Sequence, residues 1–348
     1  MKTALVTGCG GLIGAQMTRF LLAKGWEVVG IDNGARAVFF GEAGSVRREQ
    51  ASLDALPNFQ HWDLSICDTG TLMTVAKDHH FDLIVHAAGQ PSHDYSAAYP
   101  AQDFTINATG TLNVLEAFRA FSPDAAFVYL STNKVYGDRP NDERISEEGL
   151  RYEYQSLDRF KHGIDETCSV DACLHSPFGV SKLAGDLLTQ EYGRYYGLKT
   201  GVFRCGCLTG PGHAGVELHG FLNYLVRQTV CEGPYTVYGY GGKQVRDQLH
   251  AEDVATAIWE FAQNPRGGAV YNLGGGYDNS LSILEAVEAL AKISGKRPNL
   301  TFADEPRKGD HICYYSDTRR FCKDYPNWKI ARPVLSILVE MVVALSVQ

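Results

Sequence analysis

Short apolar runs alternate with longer amphipathic segments along most of the chain. The runs have the length and composition of buried strands. They cover residues 2–7, 27–31, 83–86, 126–131, 200–204 and 269–272. The segments between them, such as residues 15–24, repeat apolar positions at helical spacing. Strands that alternate with helices predict an α/β protein with a doubly wound parallel sheet.

The pattern becomes less regular after residue 204. Residues 206–220 are rich in glycine and histidine and predict a loop. Helical spacing returns at residues 221–228, 251–263 and 281–293. We therefore expect a larger domain made of residues 1–204 and 248–274. A smaller, discontinuous C-terminal substrate domain would comprise residues 205–247 and 275–348.

Two other stretches have a distinct character. The apolar run at residues 334–345 is interrupted by Ser336 and Glu340 and is too short to span a bilayer, so it predicts a closing core helix. Residues 139–173 are polar, rich in tyrosine and long for a connection. We expect them to form a functional insertion near the mouth of a cleft.

The composition narrows the class of ligand. The chain of 348 residues is 45% hydrophobic and carries a formal net charge of −8. This charge argues against a nucleic acid or an anionic membrane as partner, so we expect a small ligand in a cleft. Nine cysteines are scattered without a Cys-x-x-Cys pair, and the first strand has no signal peptide ahead of it. Both features favour reduced thiols and a cytoplasmic location.

A glycine-rich turn follows the first predicted strand. Residues 7–14 read TGCGGLIG and precede the helix at residues 15–24. Glycines at this spacing permit a tight turn, let a pyrophosphate approach the backbone and let the helix pack closely on the sheet. Asp32 ends the second strand, 18 positions after Gly14, close to the spacing of about 20 for a carboxylate that binds an adenosine ribose. The motif predicts a Rossmann-type dinucleotide site.

The same stretch indicates which dinucleotide is preferred. The Asp32 carboxylate would repel a 2′-phosphate, which favours NAD over NADP, while the nearby Arg36 keeps NADP from being excluded. Asp63 and Leu64 follow another apolar strand, where they either contact the adenine or form only a turn. The residues expected at the cofactor from these motifs are Gly8, Gly10, Gly11, Leu12, Ile13, Gly14, Asp32, Asn33, Arg36, Asp63 and Leu64.

Polar residues also follow the next two strands. Residues 86–94 read HAAGQPSHD, where the small residues Ala87, Ala88 and Gly89 let the backbone pass close to a dinucleotide. His93 and Asp94 are either groups of the cleft or structural groups. Residues 131–137 read STNKVYG, and their hydroxyls would emerge at the same sheet edge, able to bind a sugar alcohol or ketone. Asn107, on the helix between, is structural, water-binding or close to the cofactor.

A final motif opens a strongly helical run. Residues 175–182 read HSPFGVSK and place Lys182 four residues after Phe178, on one helix face.

These motifs together resemble the extended short-chain dehydrogenase/reductase family of nucleotide-sugar epimerases and dehydratases, across nearly the whole chain. The resemblance rests on residues 7–14, Asp32, residues 131–137 and the aromatic–lysine spacing that ends at Lys182. Within the family, residues 90–94, 131–138 and 242–247 look most like the CDP-paratose 2-epimerase subfamily, whose members are also called CDP-tyvelose epimerases.

The resemblance implies a mechanism and residue roles. A sugar carbon, C2 in this subfamily, would be oxidised by NAD and then reduced from its other face, with no net redox change. Thr132, with Ser131 beside it, would bind the reacting hydroxyl, and Lys182 would bind the nicotinamide ribose. Arg246 and Arg307 would grip the diphosphate of a CDP- or other NDP-hexose.

Further expectations follow from the same resemblance. The implied substrate-binding residues are Gln90, Asp94, Thr132, Asn133, Arg204, Cys207, Arg246 and Arg307. A homodimer would form through helices that include residues 178–196. Asn133 and Lys134 stand where the 4,6-dehydratases carry an acidic pair, which disfavours elimination of water from the sugar.

One position departs from the family pattern. The family places a catalytic tyrosine where this chain has Phe178, which has no hydroxyl to exchange a proton. The change was introduced to trap a substrate complex, or it marks a branch with another acid/base group, or redox chemistry is lost and the protein only binds NAD and a sugar nucleotide. Decarboxylation or dehydration on the same scaffold is a further alternative.

Several side chains are candidates for the missing acid/base group. They are His93, Asp94, His175, Lys182 and Cys207. We expect Lys182 first, because only its placement is fixed by the motif and because burial can lower the pKa of a lysine.

Overall fold

Fifteen strands and thirteen α-helices are present in the parts of the chain that the structure, a computed structural model, describes: residues 1–155, 162–217, 219–306 and 309–346. The strands are β1 (Thr3–Thr7), β2 (Glu27–Ile31), β3 (Phe59–Trp62), β4 (Leu83–His86), β5 (Ala126–Thr132), β6 (Ile145–Glu148), β7 (Arg151–Tyr154), β8 (Lys199–Cys205), β9 (Cys207–Thr209), β10 (Pro234–Tyr238), β11 (Val245–His250), β12 (Ala269–Leu273), β13 (Ser280–Ser282), β14 (Asn299–Ala303) and β15 (Cys313–Tyr314). The helices are α1 (Leu12–Ala23), α2 (Arg36–Phe40), α3 (Arg47–Asp54), α4 (Thr69–Asp78), α5 (His93–Ala98), α6 (Pro100–Phe104), α7 (Gly110–Phe121), α8 (Pro177–Tyr196), α9 (Phe221–Val230), α10 (Ala251–Gln263), α11 (Ile283–Ser294), α12 (Arg319–Asp324) and α13 (Val334–Ser346).

The chain divides into two compact units. The first comprises Met1–Val135, Pro177–Arg204 and Val254–Tyr271, and the second comprises Tyr136–Ser176, Cys205–Asp253 and Asn272–Gln348.

The first unit is built on a seven-stranded sheet in the order β12-β8-β5-β4-β1-β2-β3. Parallel pairing joins β3, β2, β1, β4 and β5. Apolar side chains of the strands, such as Leu5, Ile84 and Phe127, pack against Leu72 of α4 and Val114 of α7. The order reverses at β1, with β2 on one side and β4 on the other, which defines a doubly wound Rossmann-type sheet. The predicted fold class is confirmed.

The second unit has smaller sheets and a separate core. β11 pairs with β13, β15 and β9, β10 pairs with β14, and β6 pairs with β7. Its core packs α9, α11 and α13 together, with Leu225, Leu290 and Leu338 fully buried. α11 begins with a capping box, in which Ser282 and Glu285 bond to each other's backbone amides. The predicted closing helix at residues 334–345 is confirmed as α13.

Some predicted boundaries are wrong for local reasons. The predicted loop at residues 206–220 contains β9, and the helix expected from residue 281 begins at Ile283, because Leu281 belongs to β13. Helix α1 begins at Leu12 rather than at residue 15.

The insertion at residues 139–173 belongs to the second unit, whereas the sequence-based division left it in the first. Its partners explain the difference. Asn272 Nδ2 donates to Ile164 O at 2.7 Å, and Ile164 N donates to Tyr315 O at 2.8 Å. Asn141 Nδ2 donates to Asp310 O at 2.9 Å. No helix in the described ranges is long and apolar enough to cross a membrane.

We predict that Gly185→Ala destabilises the first unit. A Cβ at Gly185 on α8 would lie 2.6 Å from Tyr129 Oη and 3.1 Å from Asn107 O, so the helix must move away from β5. Overpacking of this kind costs about 1–3 kcal/mol in the free energy of unfolding, measurable by denaturant titration. The matched control is Gly70→Ala on α4, where a Cβ would find its nearest neighbour at 3.7 Å. The control should be neutral or slightly stabilising, and equal effects of the two changes would contradict the prediction.

Candidate functional site

The glycine turn between β1 and α1 is fixed by backbone contacts. Gly8 has φ +72°, and a Cβ there would lie 2.7 Å from Ala88 N. A Cβ at Gly14 would lie 2.0 Å from Gly8 O. Helix α1 starts after Gly11, whose lack of a side chain leaves the first turn without a side-chain cap within the described structure. Free amides at a helix N-terminus, approached by a backbone without side chains, fit the pyrophosphate of a dinucleotide.

Asp32 is held beside this turn. Its Oδ2 accepts a hydrogen bond from Gly10 N at 2.9 Å, and its Oδ1 accepts one from Gly34 N at 2.8 Å. The carboxylate therefore lies at the carboxyl end of β2 in a fixed orientation, as a ribose-binding group requires. Burial lowers the pKa of Arg36 to about 10 although the Asp32 charge raises it, so Arg36 stays cationic at neutral pH.

The other predicted cofactor residues near β2 and β3 differ in exposure. Asn33 is exposed, and its Oδ1 accepts from Ala35 N at 3.2 Å. Asp63 is exposed just after β3, whereas Leu64 is buried in the core of the first unit. The side chain of Leu64 thus packs inside the protein, and only its backbone is left for a contact with adenine.

The segment after β4 is supported by a buried polar network. Asn107 Oδ1 accepts from Gln90 N at 2.8 Å, and Asn107 Nδ2 donates to Asp103 Oδ1 at 3.0 Å and to Ser181 Oγ at 3.1 Å. Gln90 Nε2 donates to the same Asp103 oxygen at 2.6 Å. Both amides are buried, so the structure places Gln90 and Asn107 where they hold the backbone around Gly89. Direct ligand contacts by these two side chains stay predictions.

Lys182 bonds to β5 near its carboxyl end, which Thr132 forms. Lys182 Nζ donates to Leu130 O at 2.7 Å and lies 4.2 Å from the centre of the Tyr129 ring. Leu130 is two residues before Thr132, whose half-buried hydroxyl accepts from Lys134 N at 3.3 Å and lies 3.4 Å from Asn133 Oδ1. The spacing seen in the sequence thus places the ammonium and a hydroxyl at one strand end.

Asp186 is a residue that the sequence did not single out. It is fully buried and forms a two-point ion pair with Arg204, from Nε to Oδ2 at 2.9 Å and from Nη2 to Oδ1 at 3.0 Å. Ser131 Oγ donates to Asp186 Oδ2 at 2.7 Å, and Gln190 Nε2 donates to Oδ1 at 2.6 Å. Ser131 and Arg204 therefore tie β5 and β8 to α8. The catalytic contact predicted for Ser131 and the substrate contact predicted for Arg204 stay predictions. The sequence could have identified Asp186 by its spacing, because it follows Lys182 by one helical turn and so shares its helix face.

Phe178 lies in the first turn of α8, against a histidine. Its ring is buried, with 7% of the residue exposed, and its centre lies 4.7 Å from that of the His93 imidazole at an interplanar angle of 53°. His93 is half-buried at the start of α5, whose N-cap is Ser92. Asp94, the next residue, is exposed. The structure thus packs the His93 imidazole against the ring that stands in place of the family's tyrosine.

The remaining candidates belong to the second unit. Arg246 is buried, with Nη2 2.6 Å from Asp310 Oδ1 and Nη1 2.7 Å from Val245 O. Burial alone would lower the pKa of Arg246, but Asp310 raises it, so the charge is retained. His175 lies beside Cys173, with Nδ1 3.6 Å from Sγ, and Cys207 begins β9. Arg307 lies outside the described residues.

The fold and these groups define a dinucleotide-binding α/β protein with a hydroxyl–lysine pair at the carboxyl edge of its sheet. The sequence matches the model of the NAD dependent epimerase/dehydratase family over residues 4–274, and the chain belongs to that family.

Named relatives agree with this assignment. The CDP-paratose 2-epimerase of Salmonella typhi is 32% identical over 329 residues, which cover 92% of each chain. A dTDP-glucose 4,6-dehydratase of Escherichia coli is 28% identical over 92% of this chain and 83% of its own. The crystal structure of the Thermus thermophilus UDP-glucose 4-epimerase in complex with NAD superimposes with a TM-score of 0.79 at 25% identity, covering 99% of both chains.

We predict that Asp186→Asn strongly destabilises the protein. The change leaves the Arg204 guanidinium buried without its carboxylate, and breaking a buried pair by removal of one partner costs about 3–5 kcal/mol. The free energy of unfolding from denaturant titration measures the loss. Glu288→Gln, in an exposed pair with Arg297 at 2.8 Å, is the control and should have little effect. Equal stability of the Asp186 variant and the wild type would show that this pair does not anchor α8.

Proposed function

We propose that this protein is an NAD-dependent nucleotide-sugar epimerase that works by transient oxidation to a keto-sugar and re-reduction. The observation that carries the proposal is that two features follow strands of one sheet. The uncapped glycine turn before α1 follows β1, and Thr132 ends β5, where Lys182 of α8 bonds to Leu130 O. The 32% identity to a CDP-paratose 2-epimerase favours a CDP-hexose as substrate and C2 as the reacting carbon.

The chain's own residues would bind and orient the two ligands. When bound, NAD supplies reversible two-electron chemistry at the sugar carbon. The amides that follow Gly11 hold the pyrophosphate, and the Asp32 carboxylate accepts hydrogen bonds from a ribose diol. Lys182 directs its ammonium group toward the nicotinamide ribose. The Thr132 hydroxyl binds the reacting sugar hydroxyl at the end of β5.

The substrate diphosphate is assigned to arginines of the second unit. Arg246 carries a charged planar fork of the kind that suits phosphate oxygens, and a diphosphate would compete with Asp310 for it. Arg307 is proposed by its motif alone. Cys207, Asn133 and Asp94 complete the proposed substrate contacts.

Assembly and location are part of the same proposal. Helix α8 exposes Val180, Leu187, Tyr195 and Tyr196, between 45% and 79% of each residue, which supports a homodimer formed through this helix. The nine cysteines are thiols rather than disulfides, which supports a cytoplasmic location.

Phe178 favours one other function, a redox-silent protein that binds NAD and a sugar nucleotide without turnover. A decarboxylase or dehydratase is a lesser alternative, and Asn133 and Lys134, in place of an acidic pair, disfavour elimination of water.

Turnover tests the proposal directly. Incubated with CDP-paratose, CDP-glucose, UDP-glucose or UDP-glucuronate, the protein should convert at least one of them into an isomer of equal mass, seen by proton and carbon NMR. Solvent deuterium should stay out of the reacting carbon, because the hydrogen leaves and returns within the site. Denaturing the purified protein should release NAD, identified by mass spectrometry. Four unchanged sugar nucleotides would contradict the proposal, and a product of altered mass would favour the decarboxylase or dehydratase.

Phe178→Tyr separates the epimerase from the redox-silent protein. If another group already exchanges the proton, a second acceptor adds little, and we expect kcat to change by less than about tenfold. Phe178→Leu, which changes the packing without adding a hydroxyl, is the control for changes in packing. Activity that appears only after Phe178→Tyr would mean that the natural chain is redox-silent.

A further inference from the structure

We propose that His93 is the catalytic residue that exchanges the proton of the reacting sugar hydroxyl, in place of the hydroxyl that Phe178 lacks. The inference deepens the proposed epimerase function and rests on it.

The His93 imidazole packs against the ring of Phe178. The two ring centres are 4.7 Å apart, with the imidazole tilted by 53° rather than stacked flat. Phe178 is buried and His93 is half-buried, so the imidazole is the more accessible of the two rings. Imidazole is also the side chain best suited to exchange protons near neutral pH.

The segment that carries His93 is rigidly mounted. Ser92 caps α5 by accepting from Tyr95 N at 3.1 Å, and its backbone carbonyl accepts from Gln90 Nε2 at 2.9 Å. Gln90 in turn is held by Asp103, which belongs to the network around Asn107. A catalytic group on such a support keeps its position between turnovers.

Neighbouring groups are less suited to accept the proton. Lys182 Nζ donates to Leu130 O at 2.7 Å and lies 4.2 Å from the centre of the Tyr129 ring, and these contacts hold it against β5. The Tyr129 hydroxyl is buried, and burial raises its pKa far above the usual range. The second histidine of the segment, His86, is fully buried, with its ring nitrogens 2.7 Å from Thr7 Oγ1 and 3.0 Å from Thr111 Oγ1.

The proton step balances without a further reagent. A neutral imidazole nitrogen accepts the hydroxyl proton, so an O–H bond breaks and an N–H bond forms. The C–O bond would become a carbonyl, and a bound NAD would supply the two-electron acceptor that this oxidation needs. On the return, the imidazolium gives the same proton back to the oxygen while the carbon is reduced from its other face. The same residue therefore acts as base and then as acid.

Two variants test this role. His93→Gln should lower kcat by about 10²–10⁴-fold, while the NAD content and the affinity for the sugar nucleotide stay within about twofold of wild type. The double variant Phe178→Tyr/His93→Gln should recover most of that loss, because the phenol supplies the missing group. His80→Gln, at an exposed site, is the control and should leave kcat unchanged.

A measurement independent of turnover completes the test. In the NAD-loaded protein, the imidazole ¹⁵N signals of His93 should shift on addition of the sugar nucleotide but not of the matching nucleoside diphosphate. A wild type that converts none of the four sugar nucleotides would overturn both proposals. An active wild type with an equally active His93→Gln variant, or with unshifted His93 signals, would overturn the role of His93 alone.

Discussion

The attachment of α8 to β5 is the interaction on which the candidate site depends. Two charged residues of opposite sign, Lys182 and Asp186, lie one turn apart on the buried face of the helix. The lysine bonds to the carbonyl of Leu130, and the aspartate bonds to the hydroxyl of Ser131. Buried charges are tolerated only where partners compensate their desolvation, and Arg204 provides that compensation for Asp186. The register of the helix against the strand is therefore fixed at adjacent residues.

Because this register is fixed, the effect of Phe178 can be assigned to one missing atom, the hydroxyl oxygen of the family's tyrosine. Phe178 keeps an aromatic ring at the start of α8, in contact with the imidazole of His93, so the packing of a tyrosine is retained without its hydroxyl. Such a change alters proton transfer far more than shape. The contacts between α8 and β5 are kept, so the change does not bear on ligand binding. The open point is which group takes the place of the tyrosine as acid and base.

The local pattern predicted much of the fold. Strands Glu27–Ile31 and Leu83–His86 and helix Ala251–Gln263 have the predicted bounds, because each is a strongly patterned segment with clear ends. The glycine turn was predictable for a similar reason, since backbone contacts at Gly8 and Gly14 exclude a Cβ and leave their mark in the sequence.

Contacts between distant residues could not be predicted in this way. His93 and Phe178 are 85 positions apart, and no periodicity links them. Asp186 and Arg204 lie on different elements, so the ion pair exists only once α8 packs beside β8. The partners of residues 139–173 could not be predicted for the same reason, because Ile164 of that segment bonds to Asn272 and Tyr315.

Near Lys182, the buried His86 carries no charge at neutral pH. Burial, and then the nearby Lys182 ammonium, lower the pKa of His86 to about 3, so this histidine is neutral at neutral pH. Its ring instead links β1 to α7 through Thr7 and Thr111. A protonated His86 would be a second buried cation near Lys182, and its desolvation would be costly. The neutral imidazole avoids that cost. Under the proposed function, the Lys182 ammonium, held by Leu130 O, orients the ribose of the dinucleotide, and a separate group transfers the proton.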